Sequence, residues 1–221
     1  MLPDAHILIW AVAEPAGLNE RARAAITSTA QAHDVTMVPA DLPAHETKRL
    51  RLAPLRGDDA ERLRRLTDDP AITGPVHFLP APFTLADAEA LVRCAEGGRD
   101  CFLGAWSRVS ETLIGVVGVH LRGEREIEVG YWIGSAFHGQ GFATEAALGV
   151  TTVLRRQFPD REVIAECRRA NAASWRVLER IGFRPTGSAG QRPGRERLVL
   201  PAPTPFGSDA LAAEQPEAKQ A

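Results

Sequence analysis

The chain has 221 residues, 44% of them hydrophobic and 24% charged, and its formal net charge at pH 7 is −2. This length and composition suffice for one hydrophobic core, and so small a net charge gives no reason to expect a nucleic-acid or membrane partner. The three cysteines and six histidines show no paired or metal-binding spacing. They predict a reduced, cytoplasmic setting and no metal site.

The two ends of the chain differ in composition from the middle. Residues 1–44 are predicted to be an N-terminal extension whose order the sequence does not determine. Two readings stay open for it: a real extension that adds an edge strand or covers an interface, or a start site assigned too early, with translation beginning at Met37. Residues 201–221 are rich in Pro, Ala, Glu and Gln and are expected to form a disordered tail. Residues 45–200 are expected to form the folded domain.

Hydrophobic periodicity and turn residues predict the elements of this domain. In chain order these are a strand at 48–54, a helix at 59–66, a helix from 84 to 97, strands at 101–108, 112–122 and 126–133, a helix from 143 to 157, a strand at 163–167, a helix at 172–181, and strands at 183–188 and 195–200. Asp58 is predicted to cap the first helix. The order predicts an α/β fold with a mixed, mostly antiparallel central sheet and helices on both faces.

A glycine-rich loop joins the predicted strand at 126–133 to the helix that follows it. Gly139 and Gly141 bracket Gln140, and the helical apolar pattern starts at Ala143. Glycines at this place let the backbone approach a ligand closely. The unpaired N–H groups of the first helical turn, with the positive end of the helix dipole behind them, form an anion site that most often takes phosphate.

Two common phosphate motifs do not fit this loop. A Walker loop needs Lys followed by Ser or Thr after its second glycine, whereas Gly141 is followed by Phe142 and Ala143. The dinucleotide fingerprint needs Gly or Ala at the position that Thr144 occupies. The ligand is therefore expected to be neither a Walker-type nucleotide nor NAD(P).

The segment GYWIGSAFHGQGFATEA instead resembles motif A of the Gcn5-related N-acetyltransferases (GNAT), whose R/Q-x-x-G-x-G/A loop wraps the pyrophosphate of acetyl-CoA. Three more segments are similar to the ribosomal-protein alanine N-acetyltransferase (RimJ/RimL-like) branch. They are E-T-x-R-L-x-L at 46–52, P-F-T-x-x-D-A at 82–88 and N-x-x-S-x-x-V-L-E-R-x-G-F at 171–183. His138 departs from the pattern, because that branch commonly has Trp there and the wider superfamily Arg or Gln.

The resemblance implies the GNAT acyl-CoA N-acyltransferase fold and direct transfer of an acetyl group from acetyl-CoA to a primary amine. The amine would belong to a small molecule or to a protein N-terminus. The resemblance also implies that the loop at 68–83 and the hairpin at 187–195 wall the acceptor side. A monomer or weak homodimer is expected. The alternative is a non-catalytic acyl-CoA-binding module.

Two residues are the candidate catalytic groups. Glu128 stands where several relatives place a base, and burial is expected to raise its pKa; the simpler reading is a solvated carboxylate paired with Arg122 or Arg125. Glu126 is the alternative base. Ser174 matches the serine proposed in this branch to protonate the departing thiolate, although a serine in a first helical turn also satisfies backbone groups.

The resemblance also assigns a set of cofactor-binding residues. They are Ile133, His138, Gly139, Gln140, Gly141, Phe142, Ala143, Thr144, Asn171 and Arg176. Asn171 has a second reading as the N-cap of its helix. Arg168, Arg169 and Arg176 are candidates for the adenosine 3′-phosphate, with a solvated basic surface as the simpler reading. Tyr131, the chain's single tyrosine, is interpreted as a core residue.

Overall fold

The computed structural model describes residues 39–94 and 98–202. The predicted extension up to residue 38, with its two readings and Met37, and the predicted tail from residue 203 onward lie outside the described residues. Eight strands form one sheet in the order β1-β2-β3-β4-β5-β6-β8-β7. The strands are β1 His45–Glu46, β2 Leu50–Pro54, β3 Asp100–Ser107, β4 Leu113–Arg122, β5 Glu126–Ile133, β6 Glu162–Cys167, β7 Arg184–Ala189 and β8 Glu196–Leu200.

Five α-helices are described. They are α1 Ala60–Thr67, α2 Pro70–Thr73, α3 Leu85–Cys94, α4 Phe142–Gln157 and α5 Ala172–Arg180, with short 3₁₀ turns at Pro39–Asp41, Gly57–Asp59 and Ser135–Phe137. Among the described residues, no helix is long and apolar enough to cross a membrane.

Most predicted elements are present, with small corrections at their ends. Asp59, not Asp58, occupies the N-cap position of α1, and its Oδ2 accepts a hydrogen bond from the Arg56 backbone N–H. Helix α2 was not predicted; Asp69, just before Pro70, is its N-cap and accepts a hydrogen bond from the N–H of Ala71. The two-residue strand β1 was not predicted either.

Helices cover both faces of the sheet, as predicted. On one face, Ile127, Val129 and Ile133 of β5 belong to a core that also contains residues of α4 and α5, including Ala146, Val150, Leu154, Trp175 and Leu178. On the other face, Trp132 belongs to a second core with Leu63 of α1 and Leu91 of α3. The alternation of side chains along β5 therefore separates two environments across one strand.

The sheet is antiparallel except where β5 meets β6. These two strands run parallel and pair only at Glu126↔Glu162, Ile127↔Val163 and Glu128↔Ile164. Beyond Glu128, β5 continues for five residues to Ile133 without pairing to β6. A gap therefore opens between two neighbouring strands in the middle of the sheet, with unpaired backbone groups on its sides.

Candidate active site

The gap between β5 and β6 opens into a cleft of about 800 Å³. The cleft is lined by the unpaired part of β5, the loop that leads into α4, the start of α5, and Arg192 and Arg195 of the β7–β8 hairpin. All predicted site residues except Gln140 line it. The side chain of Gln140 instead donates from Nε2 to the carbonyl of Ala136, 3.1 Å away.

The glycine loop has the backbone geometry expected of an anion cradle. Gly139 and Gly141 have φ values of 74° and 80°, in the left-handed region that side chains other than glycine adopt at a cost. Gly141 is the N-cap of α4, so the free N–H groups of the first turn begin immediately after it. A Cβ at Gly139 would meet nothing within 4 Å, so the loop presents bare backbone to open space.

Arg49 braces this loop from the turn between β1 and β2. Its Nε donates to Glu145 Oε2 at 2.6 Å, and its Nη1 donates to the carbonyl of Gln140 at 3.0 Å. Its guanidinium carbon lies 4.1 Å from the ring centre of Phe142. Thr47 donates to Glu145 Oε1 at 2.7 Å. Burial opposes ionisation of Glu145, but the hydrogen bonds from Thr47 and Arg49 outweigh it and lower its pKa.

These contacts explain the E-T-x-R-L-x-L segment, for which the sequence analysis offered no function. Thr47 and Arg49 are the residues of that segment that hold the cradle in place. His138 fixes the other end of the loop, because its Nε2 donates to the carbonyl of Ile133 at 2.8 Å. The departure from the family pattern at His138 thus coincides with a contact between the loop and β5.

Ser174 and Tyr131 meet at the side of the cleft. Oη of Tyr131 lies 2.9 Å from Oγ of Ser174 and 3.2 Å from its carbonyl oxygen. Burial raises the pKa of Tyr131, so its hydroxyl stays protonated. Oδ1 of Asn171 accepts a hydrogen bond from the Ser174 backbone N–H at 3.1 Å, so its side chain caps α5.

The interpretation of Tyr131 as a core residue was incomplete. Its ring packs against the core, as predicted, but its hydroxyl reaches the first turn of α5 and borders the cleft. The alternation along β5 correctly predicted the face of the sheet on which Tyr131 lies, but not that its hydroxyl would extend to the cleft. The available signal was a single tyrosine on the strand that precedes the glycine loop.

Glu128 is buried, with 6% of its surface exposed. Arg122 Nε lies 2.7 Å from its Oε2, while Arg192 contacts it twice, at 2.5 Å to Oε1 and 2.9 Å to Oε2. Burial alone would raise the pKa of this carboxyl, but the two arginines overcome that effect and lower it to about 2. The prediction of a raised pKa was therefore wrong. Arg122 is one of the two partners named from the sequence, whereas the second is Arg192 and not Arg125.

Arg192 also contacts a second carboxylate, Glu166 on β6. Its Nη1 lies 2.9 Å from Glu166 Oε2 on β6, and the backbone N–H groups of Gln191 and Arg192 donate to the same carboxylate. The alternative base, Glu126, lies away from the cleft lining and accepts from Arg197 at 3.0 Å.

The three arginines considered for a phosphate divide into two groups. Arg168 and Arg176 line the cleft. Arg169 instead donates to Glu196 at 2.6 Å and lies over the Trp175 ring at 4.1 Å.

Comparison with known proteins assigns this arrangement to one family. Residues 49–184 match the family described as acetyltransferase (GNAT) domain. The protein named uncharacterized N-acetyltransferase YnaD, from Bacillus subtilis strain 168, is 28% identical over 143 residues, which cover 64% of this chain and 82% of that protein.

Solved structures share the fold. A GNAT-family acetyltransferase from Bacillus anthracis has a TM-score of 0.62 and 22% identity, covering 71% of this chain and 96% of its own. RimL, a ribosomal-protein α-N-acetyltransferase solved with coenzyme A, has a TM-score of 0.61 and 16% identity, covering 72% and 95%. The microcin C7 self-immunity acetyltransferase MccE, solved with acetyl-CoA and AMP, has a TM-score of 0.60 and 17% identity, covering 75% and 98%.

Proposed function

The chain belongs to the GNAT acetyltransferase family and is an acetyl-CoA-dependent N-acetyltransferase, and we propose that it transfers the acetyl group directly to the primary amine of a small molecule or a protein N-terminus. The observation that carries the proposal is the meeting of the β5–β6 gap with the cradle formed by Gly139 and Gly141. The gap suits an extended arm that carries amide groups, and the cradle suits a pyrophosphate. Acetyl-CoA contains both.

In this proposal the chain's residues hold acetyl-CoA by its two chemically distinct parts. The N–H groups from Phe142 to Thr144 and the dipole of α4 bind the pyrophosphate, together with the loop backbone from His138 to Gly141. The unpaired backbone of β5 up to Ile133 pairs with the amides of the arm, with Asn171 beside it. Arg168 and Arg176 supply positive charge for the 3′-phosphate. The bound thioester supplies the activated acyl group.

Ser174 has the proposed proton-transfer role. The reaction joins the amine nitrogen to the acetyl carbon and breaks the C–S bond, and one proton must move from nitrogen to sulfur. The Ser174 hydroxyl gives its proton to the departing sulfur and takes one from nitrogen. Tyr131, whose raised pKa keeps its hydroxyl protonated, positions Ser174 through their 2.9 Å contact. No covalent acyl-enzyme is needed.

In this proposal Glu128 is not the base but positions two arginines. A carboxylate with a pKa of about 2 is too weak a base to deprotonate an ammonium group efficiently near neutral pH. Its two ion pairs instead fix Arg122 and Arg192 beside the cleft. Asp100 and Glu166 also pair with these arginines, so the cluster has no excess of positive charge. The acceptor must still lose its proton before it attacks, because only a neutral amine has a free electron pair.

The names of the structural neighbours suggest two kinds of acceptor. RimL is named for a ribosomal-protein α-amine, and MccE was solved with AMP. At 16% and 17% identity they share the fold with this chain, and neither fixes its acceptor. The cytoplasmic setting and the monomer or weak homodimer stay predictions.

Calorimetric titration with acetyl-CoA, with NADH and ATP as controls, tests the cofactor assignment. Gly141→Asp should abolish binding, because it adds a negative charge and a strained backbone to the cradle. Gly123→Asp is the matched control, since Gly123 also has a positive φ, 60°, with nothing within 4 Å of its Cβ position, but lies in the β4–β5 turn. Absence of acetyl-CoA binding by the folded wild type would refute the proposal. Binding without release of the CoA thiol across an amine screen would favour the non-catalytic module.

A further inference from the structure

The face of β5 that carries Glu128 also carries a recess whose floor is made of glycine. Phe102 on β3 pairs with Gly118 on β4, which pairs with Gly130 on β5, so the three form one row across the sheet. The rings of His120 and Phe102 fill the space above Gly118, where a Cβ would lie 2.7 Å from His120 Nε2. A Cβ built on Gly130 would meet nothing within 4 Å, although its φ is not in the left-handed region. Backbone conformation therefore does not require glycine at Gly130, and the missing side chain leaves open space in the cleft.

Aromatic rings wall this recess on one side. The ring centres of Phe102 and Trp132 are 6.0 Å apart, and Phe78 stands 6.4 Å from Phe102 and 6.2 Å from Trp132. Phe102 and Trp132 are buried, but Phe78 retains 39% of its surface exposed and lines the cleft. The opposite wall is the row Asp100–His120–Glu128, in which His120 lies edge-on to Phe102 at 5.4 Å.

The recess lies beside the point where acetyl transfer is proposed to occur. Gly130 is two residues beyond Glu128, the last residue of β5 that pairs with β6. The cradle belongs to the loop after β5, whereas the recess faces the layer of α1 and α3. A ligand in the recess thus reaches the gap from the face opposite α4.

The mouth of the recess is narrowed by a contact between two loops. Nη2 of Arg195, on the β7–β8 hairpin, lies 3.0 Å from Nδ1 of His77, the residue before Phe78. A flat group matches these walls better than an extended peptide, which would have to displace the contact between the hairpin and the loop.

We propose that the recess over Gly130 is the acceptor subsite and that it takes a small primary amine borne on an aromatic group. This inference rests on the proposed acetyl transfer and names the substrate class of the same site. The ring stacks against Phe78 and Trp132 over the glycine floor, and the amine points toward the β5–β6 gap.

Steady-state acetylation by the full chain tests the proposal, with release of the CoA thiol as the readout. Phenethylamine and tryptamine are the aromatic probes, compared with propylamine, spermidine and a peptide with N-terminal alanine. We expect kcat/KM for phenethylamine to exceed that for propylamine at least tenfold. In Gly130→Val, the KM for phenethylamine should rise at least tenfold. The Kd for acetyl-CoA should stay within twofold, because valine keeps the backbone N–H and C=O of this position and adds its side chain only on the face opposite α4. Equal use of all the amines, preference for the peptide, or an unchanged KM in the variant would overturn the subsite.

A binding measurement separates failure of this inference from failure of the proposed activity. Tryptamine is titrated into the wild type and into Gly130→Val, each saturated with CoA. Tryptamine binding that Gly130→Val weakens, without turnover of any amine, supports the recess and refutes the transfer. Turnover without aromatic preference refutes the recess alone. Absence of tryptamine binding to the folded wild type overturns the subsite directly. Circular dichroism and the acetyl-CoA Kd establish that Gly130→Val is folded.

Discussion

Arg192 forms a bidentate ion pair with Glu128, with Nη1 2.5 Å from Oε1 and Nη2 2.9 Å from Oε2. This pair connects the β7–β8 hairpin to the centre of the sheet. The side chain of Glu128 is 8% exposed and that of Arg192 19% exposed, so solvent screens this pair only weakly. A buried pair of this kind is costly to break, because the remaining partner is left charged without compensation.

The ion pair predicts acid sensitivity. The pKa of Glu128 is lowered from 4.5 to about 2 in the folded protein. Its contribution to stability is therefore complete above pH 4.5 and lost as pH falls toward 2, with a full size of about 3 kcal/mol. Arg192→Gln should reduce stability at pH 7 and flatten the decline in the free energy of unfolding between pH 5 and pH 3, measured by urea denaturation.

Arg184→Gln on β7 is the control for this experiment, since it removes one exposed positive charge from the same hairpin. It should leave both the unfolding free energy and its pH dependence within about 0.5 kcal/mol of wild type. A pH dependence in Arg192→Gln identical to that of wild type would show that Glu128 is not held by this partner.

The same low pKa predicts the shape of the pH–rate profile. If the acceptor reacts as the neutral amine and Glu128 stays ionised, kcat/KM should rise with pH toward the pKa of the acceptor, with no carboxylate inflection between pH 5 and pH 8. Glu128→Gln should lower activity or stability but leave the shape of the profile unchanged. An inflection near pH 6 that disappears in Glu128→Gln would instead restore the base role predicted from the sequence.

Ser174 and Tyr131 should separate into a catalytic and a positioning role. Ser174→Ala removes the proposed proton relay, so kcat should fall on the order of 100-fold while the Kd for acetyl-CoA stays within about twofold. Tyr131→Phe keeps the ring and removes only the hydroxyl, so its loss should be smaller. Because the two hydroxyls act together, the double variant should lose little more than Ser174→Ala alone. Multiplicative losses would show that the 2.9 Å contact has no functional role.

The features that the sequence predicted correctly are those that depend on residues close together in the chain. Alternation along β5, the two glycines and the apolar period of α4 are all contained in the segment from 127 to 154, and the structure places them as expected. The sequence also offered, as the simpler reading, a pairing of Glu128 with Arg122 or Arg125, and the structure has Arg122.

The sequence did not predict contacts that depend on how distant segments meet. Arg192 lies 64 residues from Glu128, and Arg49 lies 91 residues from Gln140. No local period relates such pairs, because their distance is set by the register of β8 on β6 and by the packing of α4 near β2. The pKa of Glu128 was therefore predicted with the wrong sign, since burial was foreseen and its second arginine was not.

The brace at Arg49 gives the last prediction. Arg49 contacts Glu145, the Gln140 carbonyl and the Phe142 ring at once, which the compact ammonium of lysine cannot reproduce. Arg49→Lys should therefore loosen the cradle and weaken acetyl-CoA binding on the order of tenfold, measured by calorimetry. Arg51→Lys is the matched control: it lies two residues away on β2 and stacks on Trp106 at 5.7 Å, outside the cleft. Equal affinities in the two variants would show that the brace does not shape the cradle. A loss confined to Arg49→Lys, with unfolding midpoints alike, would assign the E-T-x-R segment a binding role.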